Sequence, residues 1–265
     1  MGTLSKVSVV VNTLNEERNI SKCLESVVGF ADEVLVVDMY SVDRTIELAD
    51  RLGARILHCE RTDRFNRAKR YGIENAGFDW VMMMDADERM KPSLARCLCE
   101  VATSDRYVGV RMARQNYFLG RWIHGGGFWP AYQTKFFNRN SVVWGWEEEL
   151  HGQPALLGET KILPADEPVA LVHQNYVSIE QFVERTVNRY TTILAQQLCE
   201  RGGRFRARRM LVEPVRDFLA RYVRRRGYRD GMEGFILCVL LALHEFVIYA
   251  KLWELERKTR GLPGD

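Results

Sequence analysis

The stretch Trp80-Val81-Met82-Met83-Met84-Asp85-Ala86-Asp87-Glu88 constrains the chain more than any other. An unbroken apolar run from Trp80 to Met84 reads as a strand buried on both faces, the kind found inside a parallel sheet. Acids then crowd its exit. In an open α/β sheet, ligands bind outside the carboxyl ends of the strands, so Asp85 and Asp87 are delivered to that crevice. Hard divalent cations take oxygen ligands, and magnesium is commonly held by a carboxylate or two together with the phosphates of a substrate. A Mg2+ or Mn2+ ion on Asp85 and Asp87 is therefore expected. The competing reading is an acidic turn ahead of a helix that starts near Pro92.

The residues upstream favour the metal. Val7 to Val11 reads as a buried strand and ends in the polar elbow Asn12-Thr13-Leu14-Asn15-Glu16-Glu17, which leads into a helix from about Arg18 to Val28. Val34 to Val37 is a second buried strand with Asp38 at its exit. A helix from Arg44 to Leu52 closes at Gly53, Arg55 to His58 is a short third strand, and 66 to 76 is helical. Strand and helix alternate at βαβ spacing, which predicts an α/β fold with a mostly parallel sheet and helices on both faces. No G-x-G-x-x-G follows the first strand and no G-x-x-x-x-G-K-[ST] loop is present. Phosphates must then be held another way, and a metal at the Trp80 strand is the available route.

From Tyr107 to Val143 the pattern is less regular and rich in aromatics, among them Trp122, Trp129, Phe136 and Phe137, with Gly125-Gly126-Gly127 inside it. Such a loop suits stacking on sugar rings; aromatics packing a sheet layer are the alternative. A second acid cluster, Glu147-Glu148-Glu149, lies between Trp144/Trp146 and His151, and reads either as a solvated face or as the lining of a site. Beyond it, Ser178-Ile179-Glu180-Gln181 is a capping box opening a helix.

Eleven arginines and no lysine lie between Arg201 and Arg229, although the net charge of the whole chain is only +3. They surround the apolar stripe Leu211, Val215, Phe218, Leu219, Tyr222 and Val223, and a third helix follows from Phe235 to Glu256. A cationic amphipathic helix beside a very apolar one suits an interfacial hairpin on anionic lipid; an ordinary helical appendage is the alternative. No nucleic-acid motif accompanies the arginines, so nucleic acid is not an expected partner. The apolar run Phe235 to Leu243 is shorter than the roughly 20 residues of a membrane span, and no crossing is expected. Six scattered cysteines without a C-x-x-C pair, and no signal region before Val7, point to a reducing cytoplasmic setting.

Taken together, Val9 to Glu17, Ala31 to Asp38 and Asp79 to Glu88 resemble the family 2 glycosyltransferases of GT-A fold, in particular the branch of lipopolysaccharide-core β-1,4-glucosyltransferases. The similarity runs through residues 5 to 90 and resumes at Phe136 to Arg139, Leu150-His151, His173 to Ile179 and Tyr228 to Gly231. The resemblance implies a GT-A, Rossmann-like domain over 1–175 and a C-terminal amphipathic helical region over 176–265. It implies inverting transfer of a hexose, with glucose and UDP the expected pair, from a nucleoside-diphosphate sugar to a lipid-linked saccharide acceptor. The glycan would be lipopolysaccharide or another cell-surface glycan, built on the cytoplasmic face of the inner membrane by a peripheral enzyme.

In that reading Thr13, Asn15, Glu16 and Asp38 line base and ribose, Asp85 faces ribose or metal, and Asp87 coordinates the metal bridging the phosphates. The leaving diphosphate gathers charge, which a Lewis acid stabilises, while the acceptor hydroxyl needs a base within reach. Glu148 and Glu149 are the candidates, Glu149 preferred, and His151 or His173 completes the metal shell. The family usually has Ser-Gly-Ser where this chain has Met39-Tyr40-Ser41, Asn where Arg70 stands beside Lys69, and His-Glu where it reads His151-Gly152. Lys69 and Arg70 are assigned to the donor, with solvent the alternative for Arg70. A sugar-nucleotide pyrophosphorylase is a weaker alternative, since the elbow at Asn12 to Glu17 lacks glycine. An inactive nucleotide-sugar-binding scaffold is the other.

Overall fold

The computed structural model describes residues 5–60, 65–104, 106–148 and 152–259. The chain divides into two compact units, the first made of residues 1–115 and 130–173, the second of 116–129 and 174–265. The second unit thus takes a loop from the middle of the chain as well as its C-terminal part.

The first unit opens with β1 (Val7–Thr13), α1 (Ile20–Glu25), β2 (Glu33–Asp38), α2 (Thr45–Arg51), β3 (Arg55–His58), α3 (Phe65–Glu74) and β4 (Trp80–Asp85). It continues through β5 (Glu88–Arg89), α4 (Pro92–Ala102) and β6 (Gly109–Phe118), whose last residues enter the second unit together with β7 (Arg121–Trp122). Then come β8 (Ala131–Asn138), β9 (Val142–Val143), β10 (Ala155–Leu156), β11 (Thr160–Ile162) and β12 (Leu171–Tyr176). The main sheet has the order β3-β2-β1-β4-β8-β6-β12-β5, with β11 beside β6.

The β3-β2-β1-β4 half is parallel, as the βαβ spacing predicts. The other half is mixed: β8 runs antiparallel to β4 and β6 antiparallel to β8, with a register irregularity at Val110/Arg111. Past β4, β6 and β8 are joined without a crossover helix, and strands connected in that way pair antiparallel. The irregular aromatic stretch of the sequence is therefore largely long strand, and Phe118, Phe136 and Phe137 are core side chains.

Alternation along the central strands explains why they are apolar throughout. Val9, Val11, Met82 and Met84 belong to the core on one face, and Val10, Val81 and Met83 to that on the other. Helix α3 lies close on the second face because Gly72 has no side chain: a Cβ there would collide with Val10 Cγ1 and Val37 Cγ2. That close approach sets the position of Lys69, three residues earlier on the same helix.

In the second unit, α5 (Ile179–Phe182) continues through a π-helical stretch (Val183–Tyr190) into α6 (Thr191–Glu200). Helix α7 (Ala207–Leu219) and α8 (Gly231–Thr259) follow. Ser178 Oγ accepts the Gln181 N–H at 3.1 Å, forming the expected cap, while Gln181 Oε1 reaches back to the N–H of Val177. Phe118, Ile123, Tyr176, Phe182, Val187 and Leu237 form the core of this unit.

The triple glycine lies here and is explained by packing. A Cβ on Gly125 would strike the Arg226 carbonyl, and the N–H groups of His124 and Gly125 both donate to the buried Asp230 carboxylate. Helix α8 is longer than its most apolar segment suggested. Residues 227–258 include a helix long and apolar enough to cross a membrane by length and composition, with a mean hydropathy of 2.0 over the apolar window. All six cysteines are free.

Candidate active site

The parallel strands end level with one another: Thr13 pairs in register with Asp38, and Asn12 with Asp85. Three neighbouring strand exits thus put Thr13, Asp38 and Asp85 along one edge of the sheet.

At the β2 exit the acid is satisfied locally. Asp38 is fully buried, and its Oδ1 accepts from Thr13 Oγ1 at 3.0 Å and from Ser41 Oγ at 2.5 Å, while Oδ2 accepts the Ser41 N–H at 2.9 Å. Ser41 Oγ in turn accepts the Asn15 N–H, and Asn15 Oδ1 accepts the Val42 N–H. The Glu16 N–H donates to Thr45 Oγ1 at 2.8 Å, and its carboxylate accepts from Asn19 Nδ2. These residues, expected to line base and ribose, come together as a lattice that ties the loop after β1 to the loop after β2.

At the β4 exit the acid is satisfied by charge. Asp85 Oδ1 lies 2.7 Å from Lys69 Nζ and Oδ2 lies 2.8 Å from Lys135 Nζ. Lys135 also holds Glu88 at 2.6 Å, and both are almost completely buried. Arg114 approaches Glu88 at 3.6 Å. Burial by itself would raise the pKa of the Asp85 carboxyl, but the ammonium groups of Lys135 and Lys69 outweigh it and hold it well below the usual carboxylate range. Burial works against the charge on Lys135 too, and Asp85 and Glu88 reverse that, raising its pKa. Lys135 was missed in the sequence, although a lysine leading straight into the buried pair Phe136-Phe137 is a legible oddity.

Asp87 has different company. It is buried, with Oδ1 3.4 Å from Nε2 of the equally buried His173 on β12. Burial and the charge of Arg114 lower the His173 pKa more than Asp87 raises it, so the imidazole is neutral near pH 7. Beside these acids Asn12 is also buried, and among the described residues neither end of its amide finds a hydrogen-bond partner. Buried amides are normally satisfied, so the strand exit has polar capacity in hand.

No three His, Cys, Asp or Glu side chains converge as a cation cage among the described residues. The donors that fit a divalent cation are the Asp87 carboxylate and the neutral His173 imidazole, an O/N pair suited to manganese or magnesium when phosphate oxygens complete the shell. Asp85 fits less well, since both of its oxygens already face ammonium groups.

Arg70 does not point freely to solvent. Its guanidinium meets Glu147 Oε1 at 2.5 Å and Glu74 Oε1 at 2.8 Å, and lies 4.7 Å from the centre of the Trp144 ring. Glu147 is buried and also accepts the Gly145 N–H at 2.7 Å. Glu148 ends the 3-10 turn Trp146–Glu148; Glu149 and His151 lie outside the described residues.

Acids, lysines and a buried Asp–His pair thus gather at the carboxyl end of the parallel strands. The sequence model of Glycosyl transferase family 2 matches residues 8–150, more than half of the chain, and the protein belongs to that family. It is 28% identical over 254 residues to the lipopolysaccharide core biosynthesis glycosyltransferase LpsC of Rhizobium meliloti, covering 94% of this chain and 92% of that one. It is likewise 28% identical over 277 residues to the uncharacterized glycosyltransferase RT0209 of Rickettsia typhi, covering 98% and 90%. Over a shorter span, 53% of this chain and 40% of the relative, it is 27% identical to a dolichol-phosphate mannosyltransferase of Pyrococcus furiosus.

Proposed function

We propose that this family 2 glycosyltransferase moves a hexose, glucose from UDP-glucose being the first donor to test, onto a lipid-linked saccharide, with inversion at the anomeric carbon. The observation that carries the reading is the buried Asp87–His173 pair beside an Asp85 already neutralised by lysines. Asp87 and His173 would hold the divalent metal, which when bound supplies Lewis-acid stabilisation of the leaving diphosphate. Lys69, at the mouth of the same strand exit, adds positive charge where the phosphates arrive. The lattice of Thr13, Asn15, Glu16 and Asp38 keeps the β1 and β2 loops in shape for the nucleoside.

The acceptor hydroxyl must lose its proton as it attacks, and a carboxylate from the segment after Trp146 is placed in sequence to take it. Glu149, or Glu148, is the proposed base. Arg70 is a positioning residue in this scheme: by gripping Glu147 and stacking on Trp144 it anchors that segment to α3.

The acceptor's lipid anchor accounts for the surface of the second unit. Met232, Phe235, Val239, Leu243 and Phe246 form an exposed stripe at helical spacing on α8, and Leu211, Val215 and Leu219 an exposed one on α7. Arg208, Arg209, Arg216, Arg224, Arg225 and Arg226 are exposed as well. Glu245 near the middle of α8 disfavours spanning, so an interfacial position on anionic lipid at the cytoplasmic face is the proposal. The relatives named for lipopolysaccharide core and for dolichol phosphate support such an acceptor.

The deciding experiment incubates the purified protein with UDP-glucose, UDP-galactose and GDP-mannose, with and without Mn2+, and follows release of the nucleotide in the presence of a lipid extract. Metal-dependent release that EDTA stops is expected. Release unaffected by EDTA would remove the metal, and no release from any donor would remove the reading. Flotation with phosphatidylglycerol vesicles that weakens at high salt tests the interfacial claim; no flotation at low salt would end it.

A further inference from the structure

The loop between β2 and α2 contains a residue that the acid motif does not explain. Tyr40 has φ +59°, in the left-handed region, although its side chain is bulky and aromatic. A residue of this kind adopts such a conformation only where its surroundings impose it. The surroundings here do so without using the ring. Ser41 is fixed by its N–H and hydroxyl to Asp38, Ser41 Oγ accepts the Asn15 N–H, and Val42 is fixed through Asn15 Oδ1. Glycine would take the same backbone conformation with no strain, so the backbone does not need a tyrosine.

The ring itself is 61% exposed. It lies parallel to His58, with centroids 5.7 Å apart and planes 20° apart, an offset stack that fixes its orientation. It stands just past the carboxyl end of β2, and His58 is the last residue of β3, on the side of a parallel sheet where ligands bind. Asp38, the acid that ends β2, is fully buried with both carboxylate oxygens occupied, and Asp43 further along the loop accepts from Glu17 and Thr45. What this exit offers a ligand is therefore a flat, oriented aromatic surface. Strands β2 and β4 flank β1, so their exits are about 9–10 Å apart by ordinary strand spacing. That separation suits a nucleoside diphosphate lying across the strand ends, with its phosphates at β4 and its base at β2.

We infer that Tyr40, backed by His58, is a stacking platform for the base of the donor nucleotide. The inference rests on the proposed nucleotide-sugar reading and adds a binding residue to it. Stacking on an aromatic ring is tolerant of base identity, so the platform supplies affinity, while the choice of base is made elsewhere.

The test measures binding of UDP, GDP, ADP and base-free pyrophosphate, each with Mn2+, to the full-length protein by calorimetry. Wild type is compared with Tyr40→Phe, Tyr40→Leu and Tyr40→Gly. The nucleotide that wild type prefers should bind Tyr40→Phe within about two-fold, and should bind both Tyr40→Leu and Tyr40→Gly on the order of ten-fold more weakly. Pyrophosphate should bind all four proteins alike. Tyr40→Gly should melt at or above the wild-type temperature, since the backbone strain is gone, and Tyr40→Leu serves in its place should glycine destabilise the loop. Unchanged nucleotide affinity in Tyr40→Leu, or a parallel loss of pyrophosphate binding, overturns the platform and leaves the proposed function standing. Failure of wild type to bind any of the nucleotides overturns both.

Discussion

The β2 and β4 exits have the same signature, an apolar strand ending in aspartate, and they solve the same electrostatic problem in opposite ways. At β2 the carboxylate is buried among neutral donors, Thr13, Ser41 and a backbone N–H. At β4 it is half-buried between ammonium groups, and Glu88, Lys135 and Arg114 extend the alternation of charge. Neutral donors fix a loop. Opposite charges fix a loop and neutralise the acid as well, while the next acid along, Asp87, faces His173, which burial and Arg114 keep neutral. Under the proposed function, an acid at a strand exit serves as scaffold or as metal ligand according to what its spatial neighbours have already neutralised.

The largest expected effect separates the two kinds of acid by chemistry. Asp87→Asn should lower transfer by on the order of 100- to 1000-fold, the scale of losing a Lewis acid at the leaving group, while its thermal midpoint stays near that of wild type. A variant that keeps most of its turnover would put Asp87 in the same class as Asp38.

Next in size is a loss of stability confined to β4. Lys135→Met removes the buried cation shared by Asp85 and Glu88, and breaking one partner of a buried charge network costs about 3–5 kcal/mol. Urea titration reads this directly, and a loss under 1 kcal/mol would mean that the network is far wetter than its burial implies. At β2, Asp38→Asn should cost less, about 1–3 kcal/mol, because hydrogen bonds to a charged acceptor are weakened without stranding an opposite charge. Asp38→Asn proving the more damaging of the two would reverse the order of the two strand exits.

The smallest effect is a pH dependence on the β2 side. Burial tends to raise the Asp43 pKa, but hydrogen bonds from Thr45 Oγ1 and from the N–H groups of Glu17 and Thr45 more than offset this, and the net shift is downward. A depressed carboxyl stabilises the fold above its ordinary pKa of about 4, and the contribution disappears as pH falls through the folded value. Unfolding curves at a series of pH values below about 5 should therefore show a shallower loss of stability in Asp43→Asn than in wild type. Identical slopes would remove Asp43 from the lattice.

The chain's own sequence determined the parallel half of the sheet, because strands buried on both faces and separated by helix-length spacers have few other arrangements. It also determined the Ser178 cap and the setting of Asp38, whose partner Ser41 is three residues away. The family pattern placed Asp85 and Asp87 at the sheet's ligand edge. Tertiary structure alone decided the rest. Lys135 comes to Asp85 from a strand that runs the opposite way, and His173 comes to Asp87 from a strand near the end of the first unit. The loop 116–129 joined the C-terminal helices, where Asp230 needed its N–H groups. Glu147, 77 residues along the chain, comes to Arg70. The physical reason is common to all four. Hydrophobic periodicity and turn chemistry act between near neighbours and can be read along the chain, whereas the neutralisation of a buried charge depends on which distant side chain the packed sheet brings within hydrogen-bond distance.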